Sequence, residues 1–228
     1  MEERNVVKLK KDEFATKEYI KKVLGKGKIS QVRIEYTPIG EKVIVSTNKP
    51  GLIIGKRGEK IEELTRTLKA NFRLENPKVE IDEVTQPEFD AQIVADEIAL
   101  GIEKLGPMKF KVIAYKTLQR VMGAGALGVE IRLSGKLPGA RAKSWRFSQG
   151  YLKKVGDSAK VVNRAVSRAE TKPGTVGIKV SILSPHAILK DRLDLGPETI
   201  NRLKMNQIAE NTEEKKPKKT RKKKEASE

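Results

Sequence analysis

The sequence contains no cysteine and a single histidine, His186. Without thiols there is no disulfide, no thiolate metal site and no cysteine nucleophile, and one imidazole cannot furnish the usual histidine-based zinc or catalytic clusters. His186, in LSPHAIL just past a predicted strand, reads as a solvent-exposed bystander. No apolar run reaches membrane-spanning length, and MEERNVVKLKKDEF lacks the apolar core of a signal peptide, so a cytoplasmic protein without a membrane partner is expected. Acidic residues are also in short supply. There are 48 Lys and Arg against 30 Asp and Glu, a formal charge of +18 that points to a polyanionic partner such as nucleic acid or an anionic membrane surface.

That charge is segregated along the chain. Residues 213–228, EEKKPKKTRKKKEASE, carry a net +4, so a basic tail alone does not explain the excess. Residues 128–190 hold thirteen Lys and Arg against Glu130, Asp157 and Glu170, whereas residues 73–109 are net acidic. One face turned to phosphate and another turned away would produce this pattern.

Periodicity gives the coarse organisation. DEFATKEYIKKVL predicts a helix with Asp12 as N-cap, Phe14, Tyr19, Ile20, Val23 and Leu24 near a helical period, and Gly25 as the stop. ISQVRIEY and VIVST, joined by TPIGEK, predict a hairpin despite imperfect alternation in the first strand. A short helix over residues 50–54, a glycine pair, a helix over residues 59–72 and a strand over residues 79–83 follow. Two more helices, FDAQIVADEIALGIEKL and FKVIAYKTLQRVMGAG, are separated by Gly106 and Pro107. Strands are then predicted at GVEIRLSG, SWRFS, residues 160–170 and VGIKVSIL. In SWRFS, Trp145 and Phe147 alternate with polar residues and are assigned to the core. Lys160 to Glu170 fits helix or strand equally by its arginines; the strand is chosen because KPGT offers a tight turn with Pro173 and Gly174 at its centre.

The stretch GLIIGKRGEKIEELTRTLKANF, residues 51–72, sets two glycines around two cations at the start of a helix. A helix N-terminus offers unpaired N–H groups and the positive end of its dipole, and glycine lets a phosphodiester approach without meeting a Cβ. Gly55 and Gly58 make the approach two-sided, Lys56, Arg57 and Lys60 supply mobile charge, and Ile53, Ile54 and Ile61 could floor a site for splayed bases. This is the logic of the KH module, whose GXXG loop clamps single-stranded nucleic acid. Its setting within a helix, strand, strand, helix, helix, strand order is that of a type II KH domain.

Two other glycine patterns carry no nucleotide chemistry. GAGALG, residues 123–128, follows a helix and precedes a strand, the reverse of a dinucleotide-binding turn. GLIIGKRG is one residue short of a P-loop and has Arg57 in place of the magnesium-binding Ser or Thr. No catalytic residue, metal site or cofactor is expected.

Three stretches together carry a wider resemblance: residues 51–72, GALGVEIRLSGKLPGARAKSWRF at 125–147, and VGIKVSILSP at 176–185. Across about Asp12 to Pro185 the chain resembles the universal KH-domain ribosomal protein family of the small subunit, number three in its archaeal and eukaryotic form. The resemblance implies an α/β (α+β) protein. A type II KH domain (residues 1–85) would be followed by a second α/β domain with a mainly antiparallel sheet packed on helices (86–190), then an extended arm and disordered basic tail (191–228). It further implies a structural, non-enzymatic place in the head of the small ribosomal subunit. The expected partners are ribosomal RNA, neighbouring head proteins, and messenger RNA (mRNA) at the channel entrance, with no homo-oligomer. Lys111, Lys116 and Arg120 fall on the helix that lines that entrance in the family. Val112 and Tyr115 stand where bacterial members carry bases, so what carries over is electrostatic guidance rather than strand unwinding. In the second domain Arg132, Lys136, Arg141, Lys143 and Arg146 crowd around a turn where they can meet a folded RNA backbone.

Two other functions fit parts of the sequence. A lyase acting at abasic DNA, attributed to some eukaryotic relatives, would need a lysine nucleophile, and no lysine stands out by an apolar surround. A free-standing KH regulator of messenger RNA would prefer particular short single strands, unlike a component that binds by backbone and shape.

Overall fold

In the computed structural model, which describes residues 2–38, 40–72, 74 and 76–189, the first helix, α1, runs Glu2–Leu24. This corrects the expected start at Asp12. EERNVVKLKK contains neither glycine nor proline and carries the helix on, while Lys10 and Lys17 bracket Glu13 at helical spacing, with Nζ–O distances of 3.0 and 3.7 Å. The buried stripe is Thr16, Ile20 and Leu24, four residues apart; Phe14 and Val23 of the expected apolar set stay exposed. Gly25 ends the helix at φ +81°, its N–H donating to Lys21 O.

Strands β1 (Ile29–Thr37) and β2 (Gly40–Thr47) form the expected antiparallel hairpin, and β3 (Lys78–Glu83) joins β2 in parallel. A parallel step needs a crossover, supplied by α2 (Pro50–Ile54), the glycine loop and α3 (Glu59–Phe72). The imperfect alternation in β1 has a physical cause. Its register shifts between Ile29 and Gln31, which puts both Ile29 and Val32 into the core. With them pack Ile20, Leu24, Val43, Val45, Ile53, Leu64 and Leu68, a core shared by all three helices and the sheet.

Helices α4 (Ala91–Leu105) and α5 (Phe110–Gly123) precede β4 (Gly128–Gly135), β5 (Lys143–Gly150), β6 (Asn163–Thr171) and β7 (Gly174–Leu183). These strands form an antiparallel sheet in the order β5-β4-β7-β6, with the two helices on one face. The architecture is thus mixed α+β, a KH-type lobe followed by an antiparallel sheet packed on helices. Asp90 caps α4 by accepting from Gln92 N–H at 2.9 Å, and Ile98 and Ile102 join the core that α4 shares with the sheet, where the helix lies against β6 and β7. The segment at 163–171 is a strand: Ala165, Ser167 and Ala169 point inward while Arg164 and Arg168 are exposed. Two expectations are corrected here. The turn into β7 centres on Lys172 and Pro173, because Thr171 pairs directly with Gly174, whose φ of +144° closes the hairpin. Phe147 is buried as expected, but Trp145 is 38% exposed, since β5 is an edge strand that overhangs the helices.

A polar seam joins the loop after α1 to α4. Gly27 N–H donates to Asp96 at 3.0 Å, and Lys26 Nζ reaches both Glu103 (3.0 Å) and Arg168 O (3.1 Å). Glu103 also accepts from Glu170 N–H at 3.0 Å. Gly27 takes a φ of +78°, which favours glycine, while a Cβ there would meet only the end of the Leu100 side chain, 2.8 Å from Cδ1. The arm and tail expected at 191–228 lie outside the described residues, as does Lys190.

Candidate nucleic-acid interface

The glycine loop is exposed at the junction of α2 and α3. Gly55 leaves α2 at φ +74°, Arg57 lies in the left-handed region at φ +53°, ψ +23°, and Gly58 follows at φ +83°. Arg57 is the only non-glycine residue with positive φ among the described residues. Holding an L-residue there costs on the order of 1–2 kcal/mol, the kind of strain that collects at functional sites. Gly55 N–H donates to Gly51 O and Glu59 N–H to Lys56 O, which leaves Lys56 and Arg57 as the candidate main-chain donors.

The two glycines are not equivalent. A Cβ on Gly55 would strike the stem of Lys60 at 2.8 Å, whereas one on Gly58 would meet only open space. Gly58 therefore marks the open side of the bend. Lys60 is partly committed to holding it, since its stem covers Gly55 and its Nζ reaches Leu52 O at 3.5 Å. Lys56 and Arg57 project freely into solvent. Beside the loop runs a mixed groove: Tyr19, Val23, Leu24, Leu52 and Leu64 supply its apolar wall, and Lys28, Lys60, Glu63 and Thr67 its polar one. Of the apolar floor expected from sequence, Ile53 is instead fully buried in the core, while Ile54 is exposed and Ile61 half-buried.

On α5 the three expected cations have different fates. Lys116 is exposed. Lys111 is exposed too and lies 4.6 Å from the Trp145 ring centre, a cation–π contact on the rim where α5 meets β5. Arg120 is held by Glu97 of α4 in a two-pronged pair, Nη1–Oε1 being 2.7 Å and Nη2 bonding Oε2. The hydrogen bonds to Glu97 raise the Arg120 pKa still further, and this guanidinium clasps two helices together.

Lys136 and Arg141 lie in the exposed connection between β4 and β5, anchored by buried Leu137, and Lys143 opens β5. Arg132 and Arg146 are direct cross-strand partners on the outward face of the sheet. Strand pairing brings Lys179 of β7 opposite Arg132 on its other side and sets Arg164 and Arg168 on β6 along the same face. Sequence reading counts these last three in the basic segment without singling them out. The period of two in β6 and β7 was the available signal, and it becomes decisive only once strand order is known. Glu130 sits among these bases. Burial pushes its carboxyl up, but Lys154, with Arg146 and Arg132 nearby, pulls it below the ordinary range.

An exposed glycine bend between two helices, on a lobe joined to a cation-rich antiparallel sheet, defines an RNA-binding protein of the KH class. The KH domain profile matches residues 15–89, and the profile described as "Ribosomal protein S3, C-terminal domain" matches residues 98–182. The small ribosomal subunit protein uS3 of Methanocaldococcus jannaschii is 40% identical over 194 residues, covering 85% of this chain and 92% of that protein. Its namesake from Methanobrevibacter smithii is 36% identical, with coverage of 85% and 77%, and that from Methanosphaera stadtmanae 39%, with 81% and 73%. The chain belongs to the small ribosomal subunit protein uS3 family.

Proposed function

We propose that this protein is a structural, non-enzymatic component of the small ribosomal subunit head, binding ribosomal RNA in the cytoplasm. The observation that carries this is the open, strained bend at Gly55, Lys56, Arg57 and Gly58, in a chain whose relatives are named small ribosomal subunit proteins. Main-chain N–H groups and two free cations there suit a phosphodiester, and the apolar wall of the groove alongside suits unstacked bases. Arg132, Lys136, Arg141, Lys143 and Arg146 supply a second set of phosphate contacts. Lys111 and Lys116 guide messenger RNA at the channel entrance, while Arg120 serves the fold through Glu97. Neighbouring head proteins complete the set of partners.

The test is sedimentation of the tagged protein from its own cells on sucrose gradients. Recovery with the small subunit at moderate salt supports the assignment; recovery only in ribosome-free fractions overturns it. Borohydride trapping on abasic DNA, expected to yield no covalent adduct, separates this role from a lyase.

A further inference from the structure

The sheet buries one face against α4 and α5 and turns the other outward. On that outward face Arg146, Arg132 and Lys179 stand directly opposite one another on three adjacent strands. Like charges directly opposite in a sheet destabilise it. Little within the described residues offsets them: Glu130, one cross-strand row away, bonds Arg132 and Lys154, and Arg146, Lys179 and Arg164 form no ion pair there. Glu170 meets Arg168 only at 3.8 Å. A folded sheet that carries such a row has a site for a polyanion.

We propose that this outward face is a second RNA site, one that takes the phosphate backbone of double-helical RNA. The proposal rests on the RNA-binding assignment above and adds Lys179, Arg164 and Arg168 to its contacts. Side-chain chemistry selects the ligand. None of the residues that the four strands turn outward is aromatic, so bases have nothing to stack on and a single strand loses its usual hold. Val166 is the one large apolar residue among them, too little for the buried anchor a protein partner needs. The rows beside the cations are mostly small on β5, β4 and β7 and end in a base on β6: Ser144, Ser134 and Gly177 lead to Arg168 on one side, and Ser148, the ion-paired Glu130 and Ser181 lead to Arg164 on the other. Across β5, β4 and β7, roughly 10 Å or two strand spacings, the small residues leave room for a ribose–phosphate backbone, and the serine hydroxyls can both donate to phosphate and accept from a 2′-OH.

The experiment compares the full chain with the triple variant Lys179→Gln, Arg164→Gln, Arg168→Gln, the three cations that the proposal adds, by fluorescence anisotropy over a range of KCl. The probes are an RNA duplex of about 16 base pairs, a single strand of equal length, and polyglutamate as a protein-like anion. Duplex affinity should fall at least tenfold and the salt slope should become shallower by about two to three. Single-strand affinity should change less than twofold, and the melting temperature should hold or rise as cross-strand repulsion is relieved. Unaltered duplex binding, equal loss for both RNAs, or a wild-type preference for polyglutamate would overturn the proposal. Selective duplex loss in a protein that fails to sediment with the small subunit would support the face while overturning the ribosomal assignment.

Discussion

Arg57 concentrates the chemistry of the glycine loop in one residue. Its left-handed backbone forms the bend, and its exposed guanidinium adds a full charge there. Glycine at this position would lose the charge and relieve the strain, offset by glycine's greater chain entropy. Arg57→Gly is therefore expected to hold stability within about 0.5 kcal/mol or raise it, while single-strand RNA binding weakens and its salt slope drops by about one. Thermal melts and anisotropy titrations check both halves; a clear fall in melting temperature would show that the loop is not strained. The sequence revealed Gly55 and Gly58 because glycine spacing is a local property. It could not reveal that Lys60 folds back over Gly55, or that Arg120 faces Glu97, because both depend on how helices pack.

Elements were legible wherever periodicity and terminators agreed. Helix α4 is an instance: its apolar face through Ile98 and Ile102 and its stop at Gly106 are legible, whereas the cap Asp90 lies inside the expected segment, which opens two residues early at Phe89. Removing the cap should cost about 1 kcal/mol, so Asp90→Ala is expected to lower the denaturant midpoint without changing the m-value. An unchanged midpoint would mean that tertiary contacts alone hold the first turn. The start of α1 differs because Asp12 resembles a cap, whereas the ten preceding residues hold no helix breaker and Lys10 ties them to Glu13 across the expected boundary. Strand β1 departs only in its alternation, since a bulge at its start, between Ile29 and Gln31, shifts the facing and no residue type announces it. Trp145 was assigned inward from alternation alone; being on an edge strand leaves it half covered, a property of sheet order rather than of the strand itself.

The whole molecule depends on the seam at Gly27 and Glu103, which ties the glycine-loop lobe to the helices of the basic lobe. Burial pushes the Glu103 carboxyl up, but the Glu170 N–H and the Lys26 ammonium together hold it below the ordinary carboxylate range. A depressed folded-state pKa contributes stability that is present above the unfolded value, about 4.3, and is lost as pH falls through the folded value. The melting temperature of the wild type should thus exceed that of Glu103→Gln at neutral pH, with the gap narrowing below about pH 4. A gap independent of pH would remove the carboxylate's charge from the explanation. Charge segregation along the chain anticipated a basic lobe, and the structure converts that run into a surface because antiparallel pairing lines up Arg132, Arg146 and Lys179.

Photocrosslinking within assembled small subunits, followed by mapping of the RNA-bearing peptides, probes the RNA-gripping bend and basic lobe where they work. Crosslinks to ribosomal RNA should concentrate in the peptides holding Lys56 and Arg57 and in those spanning Arg132 to Arg146. A protein that sediments with the subunit yet yields crosslinks only outside both regions would show that neither surface grips RNA.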